Sequence, residues 1–90
     1  MLTSYRFREL EGAVQRNLTE FLVVELELAE TICDILRTTT ERGQRDELLG
    51  KLRRSLLTIR NAEVRMEDPL KWKEIHERAT RLELLVDATA

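Results

Sequence analysis

Between Leu18 and Leu36 the chain reads LTEFLVVELELAETICDIL, its most apolar stretch and one free of Lys and Arg. At 100° per residue, Leu18, Phe21, Leu22, Val24, Leu26, Leu28, Ala29, Ile32, Cys33, Ile35 and Leu36 spread over an arc of roughly 200°. Glu20, Glu27, Glu30, Thr31 and Asp34 take most of the remainder. A helix packed on one neighbour needs a stripe of only about 100°. This helix must therefore be covered from two directions, by its own chain or by a second one.

Upstream, Phe7, Leu10, Val14 and Leu18 fall within about 80° of one another and lead into that arc. Thr3 or Ser4 can cap a first helix beginning near Tyr5. Gly12 interrupts the pattern at a cost of about 1 kcal/mol relative to Ala. Helix one is expected over about 4–37, a rod of ~50 Å. Thr38, Thr39 and Thr40, then Gly43, break the periodicity.

Helix two is expected over about 41–66, with Leu48, Leu49, Leu52, Leu56, Ile59 and Met66 as its seam. Leu57 and Val64 form a weaker second line, and Gly50 is an interior weak point. Asp68 followed by Pro69 reads as an N-cap and a first-turn proline. Helix three then runs over about 69–87, its seam Trp72, Ile75, Ala79, Leu82 and Val86. The fold class expected is all-α, a single domain over 1–90. Its architecture is a three-helix antiparallel bundle with one long N-terminal helix. Helix one should overhang its partners by ten or more residues, roughly 15 Å. An overhanging apolar stripe is a liability in a monomer, so assembly into a dimeric helical bundle is expected.

Composition agrees with long helices. Charged residues make up 36% of the chain, with three Gly and one Pro in all. Hydrophobic residues reach 42% and are periodic, which excludes disorder. A net charge of −2 argues against a nucleic-acid binder. No run free of charged residues exceeds five positions, so no membrane span is expected. The N-terminal MLTSYRFREL lacks the apolar core of a secretory signal, and the one Cys allows no intrachain disulfide. A cytoplasmic location is the expectation. Charge is also segregated: residues 19–36 carry five acids and no bases, whereas residues 37–65 carry eight bases and four acids. That pattern helps select the pairing of helices one and two.

Glu25 falls near the middle of the apolar arc, where a carboxylate needs a partner. An Arg or His from another helix, or a polar group across a dimer seam, is the expected one. Leu22, Glu25, Leu26, Ala29 and Cys33 are the expected self-association face. Glu27, Glu30 and Asp34 share a helix face and could hold Mg²⁺ or Mn²⁺. Their E-x-x-E spacing resembles half of the acidic arrangement of all-α nucleotide pyrophosphohydrolases, but helix two offers no matching acidic pair. A metal-dependent phosphohydrolase is therefore an alternative, and a solvated acidic face the plainer account.

Lys51, Arg53, Arg54 and Arg60 could contact phosphate, which leaves a nucleic-acid-associated regulator as a second alternative. No aromatic residues interleave with them, so a solvated face is again preferred. His76 borders the seam of helix three, Cys33 reads as a buried, inert thiol, and Trp72 as core or interface. The expected function is a helical protein–protein interaction or oligomerisation module without catalytic activity, metal or cofactor. A homodimer is the expected state, with a further protein as an alternative partner.

Overall fold

The structure is a computed structural model that describes the backbone of residues 2–89 and the side chains of residues 8–89. Three helices, α1 (Leu2–Thr38), α2 (Arg42–Glu63) and α3 (Pro69–Thr89), account for almost all of it, and no strand occurs among the described residues. The fold is all-α.

The 37 residues of α1 run unbroken through Gly12. Thr3 and Ser4 lie inside the helix, not ahead of it; their side chains, and that of Phe7, lie outside the described residues. At its C-terminal end the last carbonyls lack intrahelical donors. Thr39 Oγ1 donates to the Ile35 carbonyl at 2.7 Å, and Arg45 Nη1 donates to the carbonyls of Leu36 and Thr39 at 2.9 Å each. The threonine run thus stops the helix with its own hydroxyls, and α2 returns a guanidinium to the same place. Gly43 belongs to the first turn of α2, not to the join.

The α2 helix ends at Glu63, three residues earlier than the periodicity suggests. Arg65 and Met66 turn away from the helix, their N–H groups donating to the carbonyls of Ala62 and Glu63 at 3.0 Å. Gln15 of α1 holds that join from across the bundle. Its Nε2 donates to the Arg65 carbonyl, and its Oε1 accepts from the Glu67 N–H, both at 3.1 Å. Asp68 caps α3, accepting from the N–H groups of Leu70 and Lys71 at 2.9 and 3.3 Å. Pro69 follows at a position whose N–H no helix needs.

One core runs between the helices. Leu22, Leu26, Ala29, Ile32 and Cys33 of α1 meet Leu52, Leu56 and Ile59 of α2 and Ile75, Ala79, Leu82 and Val86 of α3. The weaker line of α2 is no core at all: Leu57 and Val64 are exposed. Trp72 is not core either, since it is more than a third exposed and lies against His76.

The molecule measures 61 × 20 × 16 Å. At 1.5 Å per residue α1 accounts for about 55 Å of that length and each shorter helix for about 32 Å. Gln15 marks the level at which α2 ends. The first dozen residues of α1 therefore project past the bundle.

Candidate interaction face on the first helix

The 200° arc of α1 divides into two rows. The inner row is the one buried in the core. Leu22, Leu26 and Ala29 are fully buried, and Cys33 is buried beside them. The expected self-association face is corrected here: four of its five residues are already covered by α2 and α3 of the same chain. Residues that fill an intrachain core offer no surface to a second copy.

The fifth residue, Glu25, is half-buried and accepts a hydrogen bond from Ser55 Oγ of α2 at 3.0 Å. No Arg or His pairs with it among the described residues. A serine is enough because the carboxylate sits at the rim of the core, with its other lone pairs facing an open groove.

The outer row lies roughly 110° around the helix from the inner one. Leu10, Val14, Phe21, Val24, Leu28 and Ile35 are all exposed, from 44% at Phe21 to 64% at Leu10. With Asn17 and Thr31 they form the series 10, 14, 17, 21, 24, 28, 31, 35, which alternates steps of four and three. That is the 3.5-residue period of a helix that packs lengthwise on another helix. Exposures of this size amount to on the order of 600 Å² of apolar surface, at the top of what a monomer usually leaves open.

The row is flanked by charges of opposite sign. On one side stand Glu20, Glu27 and Asp34 of α1, all exposed. On the other, a groove of about 320 Å³ runs between α1 and α2, lined by Glu25, Leu28 and Ile32 together with Lys51, Arg54, Ser55 and Thr58. Lys51 and Arg54 are exposed along its rim.

The acidic residues of α1 do not converge. Glu30 is hydrogen-bonded to Arg78 of α3, and Asp34 lies 3.7 Å from Arg37. Among the described residues no group of three or more His, Cys, Asp or Glu side chains could hold a metal ion. The bases of α2 separate as well. Lys51 lies 3.6 Å from Glu47, Arg53 and Arg54 line different grooves, and Arg60 is drawn between helices. A row of phosphate contacts would need them on one face, and the helical turn disperses them.

Arg60 organises the second polar feature of the molecule. It donates through Nη1 to both oxygens of Glu63, at 3.0 and 3.2 Å, through Nη2 to Thr80 Oγ1 at 2.8 Å, and through Nε to Glu83. Burial weighs against its charge, but the hydrogen bonds and charges of Glu83 and Glu63 outweigh this and raise its pKa. Glu63 is one of two buried polar residues among the described residues. His76 Nδ1 lies 2.9 Å from Arg60 Nη1 and 3.1 Å from Glu63 Oε1. The nitrogen accepts from the arginine when bare and donates to the glutamate when protonated; one hydrogen position excludes the other. The imidazole also stacks on Trp72, with centroids 4.5 Å apart. Thr80 Oγ1, the hydroxyl beside this pair, donates to the His76 carbonyl at 2.8 Å. The cluster joins α2 to α3.

Glu63 was visible in the sequence as an acid completing the 52, 56, 59, 63, 66 seam of α2. The outer row was visible too, but merged with the inner one because both fall within a single arc.

No helix among the described residues is long and apolar enough to cross a membrane. No family model, curated protein or solved structure matches the chain.

Proposed function

We propose that the protein is a small, non-catalytic helical interaction module that self-associates through the outer row of α1. One observation carries this reading: six large apolar residues at coiled-coil spacing stand open along one face of the longest helix. Within each chain the helices run up, down and up as an antiparallel bundle. Support comes from Gln15 meeting residues 65 and 67 while Glu25 meets Ser55, so that rising numbers on α1 meet falling numbers on α2.

Two copies joined by their outer rows make a dimeric helical bundle with the α1 helices at its centre. The open apolar surface approaches the ~800 Å² per partner of a standard interface, and the charged flanks add to it. The same contact shields the projecting end of α1, including Leu10 and Val14. Light scattering over a concentration series tests the reading. The chain is expected at twice its 10.6 kDa mass, and Leu28→Asp at the single mass with its helix content retained. Monomeric mass for the parent chain at every concentration rejects the proposal.

A further inference from the structure

Resting on that self-association, we propose that the two copies pair with their α1 helices parallel and in register, Asn17 meeting Asn17 inside the seam. A two-fold dimer can align the rows in only two ways. An axis running along α1 makes the helices parallel and lays the left flank of one copy on the right flank of the other. An axis crossing α1 makes them antiparallel and lays each flank on itself.

The flanks decide between these. One carries Glu20, Glu27 and Asp34; the other carries the α2 rim with Lys51 and Arg54. Parallel pairing sets acid against base, whereas the alternative sets acid against acid. Levels agree as well. The Ser55–Glu25 hydrogen bond puts Lys51 and Arg54 beside residues 26–29 of α1, the height of Glu27. Glu27 of one copy thus faces the two exposed bases of the second. Asp34 and Glu47 also come level, but each already has a base on its own helix, Arg37 and Lys51 respectively.

Asn17 fixes the register. It interrupts an otherwise apolar run between Val14 and Phe21. In a closed seam its amide needs a hydrogen-bonding partner, and the matching Asn17 supplies one only at equal height. A slip of one heptad puts the amide against Leu10 or Val24 and leaves it unpaired.

Cysteine cross-linking in the full-length chain tests this. In a Cys33→Ala background, Leu10→Cys and Thr31→Cys place single thiols near opposite ends of the row, at exposed sites that leave the core untouched. Arg16→Cys is the off-row control. Parallel, in-register helices bring each thiol beside its own copy, within reach of a disulfide. Each row variant alone is expected to convert mainly to covalent dimer on mild oxidation, and the control to remain uncoupled. Coupling only in a mixture of the two row variants would establish the opposite direction and overturn the inference. A non-covalent dimer with no coupling of either row variant, or with the control coupled equally, also overturns it while leaving self-association standing. A chain that is monomeric by light scattering removes the underlying reading instead.

Discussion

Leu26 and Leu28 stand two residues apart on one helix and end in opposite surroundings, the first fully buried and the second half exposed. Their side chains are identical, so hydrophobicity cannot explain the difference. What separates them is which side of α1 the two shorter helices occupy. The inner row is built for close approach, with Ala29 and Cys33 among its leucines and Ala79 facing them from α3. Small residues let helix axes draw together. The outer row instead carries Phe21, Val24 and Ile35, bulky shapes left without a hole to fill.

The largest expected break in this comparison is Leu26→Asp. An unpaired carboxylate in a fully buried position should cost about 4 kcal/mol, enough to remove cooperative thermal unfolding followed by circular dichroism. Arg60→Ala attacks the same core from its far side by leaving Glu63 buried without its cation. A loss of about 3 kcal/mol is expected, read from chemical denaturation. Arg60→Lys should recover only part of it, because an ammonium cannot span Glu63, Thr80 and Glu83 together.

Leu28→Asp, two residues from the first substitution, should change the fold of the single chain by less than about 1 kcal/mol while halving the mass in solution. If it unfolds the chain as Leu26→Asp does, the two rows are not distinct. The smallest effect is expected at Gln15→Ala, which frees the join between α2 and α3. About 1 kcal/mol or less should be lost, with faster amide exchange at Glu67.

Much of the fold is legible in the sequence because it rests on local rules. The Asp68–Pro69 cap needs no tertiary knowledge, and the α3 seam from Ile75 to Val86 repeats in strict steps of three and four. The early end of α2 was not legible, since it depends on Gln15 reaching across from 50 residues earlier. Which row of α1 stays open was not legible for a related reason. Angular projection places Leu22 and Leu28 in one apolar arc, but it carries no information about where α2 and α3 will dock. Glu25 illustrates the point: the sequence asks for a cation from another helix or a polar group across a dimer seam, while the rim of the core supplies Ser55 of the same chain.

Carbene footprinting of the parent chain across a dilution series measures the division of α1 directly, side chain by side chain. Leu22 and Leu26 are expected to stay unlabelled at every concentration, whereas Phe21, Val24 and Leu28 should lose labelling as concentration rises. Equal labelling of the outer row from the most dilute sample to the most concentrated would contradict this division.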